Sequence, residues 1–161
     1  MNIDRFSNWF KWEKRNNAEN IKFPGIYIIA VSTENLEGRQ FDWLSDIKYV
    51  GMTNSVAGLK GRLKQFDNTI IGKTGHGGAD RFRYEYQNYD DLIEKLYVSV
   101  IPFVCDVKSN NPKDLRVMGE VSKFEYDCFA QHVEVHGELP KFNDKTNSPK
   151  YSLTYGRNKI S

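Results

Sequence analysis

Gly25-Ile26-Tyr27 opens one apolar run, Tyr49-Val50-Gly51 closes a second, and Gly58-Leu59-Lys60-Gly61-Arg62-Leu63 follows at helical spacing. The first run, residues 26–32, is rich in Ile and Val and predicts a strand, with Pro24 tolerated at its entrance because a missing N–H costs little there. The second run predicts a strand over 47–52. Between them, residues 33–46 form a polar connection around Gly38 that carries Phe41, Trp43 and Leu44 to fold back on the domain. Neighbouring strands joined in this way are most simply antiparallel. Thr53, Asn54 and Ser55 are N-cap candidates for a helix that runs to about residue 66, with Leu59, Leu63 and Phe66 as its buried stripe.

Working outward, residues 67–80 read as a flexible loop, with Gly72, Gly75, Gly77 and Gly78 around His76. Residues 81–86 alternate charged and aromatic side chains, which predicts a strand with one wet face. A helical turn over 90–95 precedes a β-favouring run at 97–104, where Pro102 marks a sheet edge or a strand end. A long helix is predicted over 115–136, with the stripe Val121, Phe124, Cys128, His132, Val135 and a stop at Gly137. At the N-terminus, Phe6, Trp9, Phe10 and Trp12 suggest a short amphipathic helix over 3–14, capped by Asp4 or Ser7. The fold class that emerges is α/β: a small central, largely antiparallel (mixed) sheet flanked by α-helices, in one domain over residues 1–161.

The bulk numbers agree with one soluble domain. The chain has 161 residues, 27% charged and 39% hydrophobic, enough to bury a core of its own. No apolar stretch reaches the ~20 residues needed to cross a bilayer, and the first residues lack the apolar core of a secretory signal. Cys105 and Cys128 cannot build a disulfide framework, so a reducing, cytoplasmic setting is expected. The net charge of +2 is too small for a generally basic surface. From Lys141 onward, however, Lys141, Lys145, Lys150, Arg157 and Lys159 face only Asp144, and Tyr151 and Tyr155 are interleaved. That pattern fits a solvated tail or a nucleic-acid arm.

A phosphodiesterase site needs an activated water, a cation for the developing charge, a metal for the leaving oxygen and a fixed in-line geometry. The candidates are Tyr27, Tyr49, Arg62, His76 and Glu125. Either tyrosine alone reads as a strand core residue. Gly51 changes that reading, because a glycine after a Val-containing strand permits close backbone approach. Arg62 lies beside the Leu59–Leu63 stripe, and its planar fork suits a pair of phosphate oxygens. Glu125 borders the apolar face of the long helix, where a carboxylate is costly unless paired or bound to a cation. One carboxylate with waters and phosphate oxygens is a normal way to hold Mg²⁺. Glu120 is the rival, nearer the exposed start of the helix.

Gly25-Ile26-Tyr27, Tyr49-Val50-Gly51, Arg62-Leu63, Glu125 and the segment Gly137-Glu138-Leu139-Pro140-Lys141-Phe142-Asn143 together resemble the GIY-YIG nuclease family over residues 22–143. The resemblance implies a Mg²⁺-dependent (or Mn²⁺-dependent) DNA endonuclease, in restriction, defence or DNA processing. One tyrosine would take the water's proton, and Tyr49 is favoured because its strand feeds the arginine helix. Arg62 would hold the scissile phosphate, Glu125 would bind the metal and Asn143 would brace the site. Gly51, Lys60, His76 and Asn143 would face substrate, with the family's histidine-or-lysine position matched by either Lys60 or His76. Restriction-type members often act as dimers, so a homodimer is a further expectation. Residues 33–44 look like an insertion between the two tyrosine strands. The rival from another class is a nucleic-acid-binding module that kept this fold without activity.

Overall fold

The structure, a computed structural model, describes residues 1–73 and 75–156. Its core is one four-stranded sheet, β1 (Phe10–Lys11), β2 (Gly25–Val31), β3 (Ile47–Thr53) and β4 (Leu96–Pro102), in the order β1-β4-β2-β3. Every neighbouring pair is antiparallel, so no ladder is mixed. Central β2 is buried on both faces, which is why its sequence is a continuous apolar run rather than an alternating one. Pleating divides that run: Ile26, Ile28 and Ala30 enter one apolar cluster, and Tyr27 and Ile29 enter the other. Pro102 ends β4, opposite Gly25, where no further ladder bond is required of it.

The described residues include five α-helices, three between β3 and β4, α1 (Gly58–Ile71), α2 (Gly77–Glu85) and α3 (Tyr89–Ile93), and two after β4, α4 (Pro112–His136) and α5 (Tyr151–Tyr155). α4 covers the Ile26/Ile28 face with Val121 and Cys128, starts with Pro112 in its first turn and ends at Gly137 in the left-handed conformation. The 33–44 segment completes that face. Leu36, Phe41 and Trp43 are buried, and Phe41 stacks on Phe6 at 3.9 Å. α1 and α2 cover the opposite face with Leu59, Leu63, Phe66, Ile70, Ala79 and Phe82.

Four sequence expectations are corrected. Residues 3–14 are not a helix. 3-10 turns at Ile3–Arg5 and Trp12–Asn17 flank the two-residue β1. Their aromatics serve both faces, Phe6 and Trp9 in one cluster and Trp12 in the other, so the chain must wrap the sheet edge. Ser7 ties this wrap to β4, its N–H donating to the Val100 carbonyl at 2.8 Å.

Residues 81–86 are not a strand: 81–85 form the second half of α2 and Tyr86 is its C-cap. The alternation misleads because Arg81 and Arg83 are themselves buried: Arg81 donates to the Ser148 and Gly77 carbonyls, and Arg83 donates to the Gly72 carbonyl and lies over the Tyr151 ring. The 67–80 loop shrinks to a link between Gly72 and His76, because α1 continues to Ile71 and α2 begins at Gly77.

Finally, Thr53, Asn54 and Ser55 do not cap α1. The N–H groups of Leu59 and Lys60 donate instead to the carbonyls of Phe23 and Ile21, ahead of β2. Gly58 permits this seat, with φ +64° and no room for a β-carbon, which would lie 2.0 Å from the Lys22 carbonyl oxygen. The start of α1 is thereby fixed to the start of β2.

In the basic C-terminal stretch, α5 packs on α2 with Tyr151 buried; Arg157 and Lys159 lie outside the described residues. Among the described residues no helix is long and apolar enough to cross a membrane.

Candidate active site

The two tyrosines meet because register places them one pleat apart. Tyr27 pairs with Gly51, and Tyr49 pairs with Ile29, so both rings rise on the α1/α2 face, their centroids 6.0 Å apart. Gly51 is obligatory there: a β-carbon would lie 2.4 Å from the Tyr27 hydroxyl, so the ring crosses β3 where the side chain is missing. Gly78 plays the same part for Tyr49, with a β-carbon 2.5 Å from its ring.

β3 is an edge strand, and Asn143 closes its outer side. The Asn143 carboxamide accepts from the Val50 N–H and donates to the Val50 carbonyl, both at 2.8 Å. This side-chain mimic of a neighbouring strand holds the backbone between Tyr49 and Gly51.

His76 is the buried partner of Tyr27. It is 1% exposed, and its Nε2 lies 2.6 Å from the Tyr27 hydroxyl. Its Nδ1 accepts from the Ala79 N–H at 3.1 Å, capping α2. A neutral imidazole that accepts at Nδ1 carries its proton at Nε2. His76 therefore donates to Tyr27, and the Tyr27 hydroxyl proton is left to point onward. Burial, with the Arg62 and Arg81 charges, depresses the His76 pKa to about 3, so the ring is neutral at working pH.

The short link before His76 is fastened to α1. Gln65 donates to the Gly75 carbonyl, and the Thr69 hydroxyl accepts from the His76 N–H. Lys60, the other candidate for this position, is exposed and stands ~200° around α1 from Arg62.

Arg62 is half-buried, and one arm of its guanidinium donates to Gln65 while its Nε is buried without a hydrogen-bond partner among the described residues. Its charge acts on Tyr27, Tyr49, His76 and Glu125. Burial pushes the Tyr27 phenol well above its usual value, with Tyr49 adding to the rise. Burial also raises Tyr49, with the Glu125 charge adding to the rise; Arg62 opposes the rise at both phenols, and at Tyr49 the Tyr27 hydroxyl and Arg81 oppose it as well, so Tyr49 is raised less than Tyr27. Tyr27 is 0% exposed, whereas Tyr49 retains access to solvent.

Glu125 is half-buried on α4, and it makes no ion pair among the described residues. Burial raises its carboxyl pKa, countered by Arg62 and Lys145. Glu120 is exposed. Among the described residues no group of three or more His, Cys, Asp or Glu side chains could cage a metal. A single carboxylate with no close ion pair still fits a hard divalent cation that keeps waters and takes its other ligands from phosphate oxygens.

Three contributors escaped sequence reasoning. Gln65 orients Arg62, Thr69 seats the histidine link, and Arg81 adds a second positive charge felt by Tyr49 and His76. Only the i, i+3 spacing of Arg62 and Gln65 on one helix was visible in advance. Compared with known proteins, the chain matches no family model, no curated protein and no solved structure.

Proposed function

We propose that the chain is a divalent-metal-dependent endonuclease of the GIY-YIG type that hydrolyses phosphodiester bonds in DNA. The observation that supports this reading is the convergence, around edge strand β3, of two phenols, an arginine and a carboxylate that makes no ion pair among the described residues, from four separate elements. The Arg62 charge acts on both phenols and on the carboxylate.

In this mechanism the substrate strand lies over the side of β3 on which the Tyr27 and Tyr49 rings stand. Arg62 offers its fork to the non-bridging oxygens of the scissile phosphate and stabilises the charge that grows there. Tyr49, the more accessible phenol, removes the proton from the attacking water. Tyr27, held by the His76 Nε2–H, directs its own proton toward Tyr49 and so favours the Tyr49 phenolate. Glu125 would hold Mg²⁺ or Mn²⁺, which when bound supplies charge stabilisation for the leaving 3′ oxygen. Asn143 keeps β3 in register, so that Tyr49 and Gly51 stay in place during turnover.

The test is incubation with supercoiled plasmid, with and without Mg²⁺, for the wild-type chain and for Glu125→Ala, Arg62→Lys, Tyr49→Phe and Tyr27→Phe. Nicking should require the cation and disappear in Glu125→Ala. It should fall steeply in Arg62→Lys, because lysine keeps the charge without the fork. Tyr49→Phe should be more damaging than Tyr27→Phe. Metal-independent cleavage, or full activity of Glu125→Ala, would overturn the proposal. DNA binding without any cleavage would assign the chain to the inactive binding module.

A further inference from the structure

Beyond Asn143 the chain turns back over α2 as a clasp. The Asp144 carboxylate closes a turn by accepting from the N–H groups of Thr146 and Asn147 and from the Asn147 side-chain amide. The Ser148 hydroxyl donates to the Lys141 carbonyl at 2.6 Å, and the Ser148 carbonyl accepts from Arg81 Nε at 3.2 Å. The Ser152 N–H and hydroxyl donate to the buried Asp80 carboxylate, and the Arg83 guanidinium lies 3.7 Å from the centre of the Tyr151 ring. The backbone over 144–152 is thus fixed, and the two lysines it carries have fixed starting points.

Both lysines come to the site. Lys150 Nζ lies against Gly77, the residue after His76, at 3.2 Å from where a β-carbon would stand. Lys145 follows Asp144 inside the turn that the Asp144 carboxylate closes, and its charge acts on the Glu125 carboxylate of α4. Neither forms an ion pair among the described residues, whereas Lys14, Lys123 and Lys141 pair with Glu37, Asp127 and Glu85. Arg62 and Arg81 are the other cations of this region and Glu125 and the buried Asp80 its carboxylates, so positive charge is in excess there. So many like charges at one place are mutually repulsive unless an anionic partner joins them.

We propose that the 144–152 clasp is a substrate-binding element, in which Lys150 and Lys145 each hold a phosphate of the nucleic-acid strand flanking the one gripped by Arg62. The inference rests on the phosphodiesterase reading above and adds to it the length of strand that the site engages. It also separates two roles of the basic C-terminal stretch. The clasp backbone supports α2, so truncation after Asn143 would strip partners from Asp80, Arg81 and Arg83 and confound any binding result. Point substitutions isolate the lysines.

The experiment is fluorescence anisotropy of a short labelled DNA duplex in EDTA, with salt varied from ~50 to ~200 mM, so that cleavage cannot intervene. Lys145→Ala and Lys150→Ala should each weaken binding several-fold and reduce the slope of log affinity against log salt by ~0.9, and the double variant should lose ~1.8. Lys150→Arg should restore the slope, and Lys95→Ala, on an exposed turn ahead of β4, should leave it at the wild-type value. If an alanine variant melts early, Lys→Met keeps the aliphatic stem and removes the charge. A double variant with wild-type slope and affinity, in a protein that still binds and cuts DNA, would overturn the clasp proposal alone. A wild-type chain that neither binds nor cuts DNA would overturn the reading beneath it.

Discussion

His76 should make this protein acid-sensitive by an amount that can be worked out. Its ring is 1% exposed, and both nitrogens are engaged in the neutral form. The folded pKa of about 3 lies below the ordinary 6.5, so between those values the unfolded chain binds a proton that the folded one refuses. Stability from this group is therefore complete above pH 6.5 and is lost as pH falls toward 3. From pH 7 to pH 5 the loss is ~2 kcal/mol, which for a chain of this size is ~4–8 °C in melting midpoint.

The perturbation that isolates it is His76→Asn. Asparagine retains an acceptor for the Ala79 N–H at the start of α2 but does not titrate. The other groups with altered titration, among them His132 and Glu125, are unchanged in the variant and cancel in the comparison. Urea unfolding followed by far-ultraviolet circular dichroism, at pH 7 and pH 5, gives four stabilities. His76→Asn should be less stable than wild type at pH 7, through lost packing, yet lose ~2 kcal/mol less between the two pH values. If both proteins lose the same stability on acidification, His76 is not held neutral in the fold, and the donor role assigned to it toward Tyr27 fails with it.

The same neutrality bears on catalysis. The cleavage rate should show no inflection near pH 6.5 and should climb about tenfold per pH unit toward the raised Tyr49 pKa; a plateau below pH 8 in single-turnover rates would exclude Tyr49 as the base. Gly51→Ala should displace the Tyr27 ring, cost ~1–3 kcal/mol in urea unfolding and abolish cleavage; a variant with wild-type stability would show that the ring does not cross the strand there. Asn143→Ala strips both hydrogen bonds from Val50 and should cost ~1–3 kcal/mol by the same measurement, with cleavage lost out of proportion to folding. Glu125→Gln should end cleavage while raising the urea midpoint at neutral pH, because burial disfavours the ionised carboxylate that glutamine replaces; a lowered midpoint would mean that an ion pair had been removed.

Local periodicity determined much of this protein. The Ile/Val runs became β2 and β3 within a residue or so of their expected bounds, and α4 stops at Gly137 because the glycine can enter the left-handed region that other residues avoid. The candidate site residues Tyr27, Tyr49, Arg62, Glu125 and Asn143 could be picked out because their order along the chain is itself a pattern. What the sequence left undecided depends on partners far away in the chain. Whether residues 81–86 extend or coil turned on the burial of Arg81 and Arg83, and their partners at Ser148 and Tyr151 are more than sixty residues away. The N-terminal aromatics divide between two faces of a sheet that does not exist until β4 is in place. His76 rather than Lys60 stands beside Tyr27 because Gln65 and Thr69 fold the glycine link back onto α1, whereas helical geometry turns Lys60 to solvent. Proton positions lie furthest from sequence: Tyr27 and Tyr49 are alike as residues, and only the ring nitrogen behind one of them and the solvent access of the other set them apart.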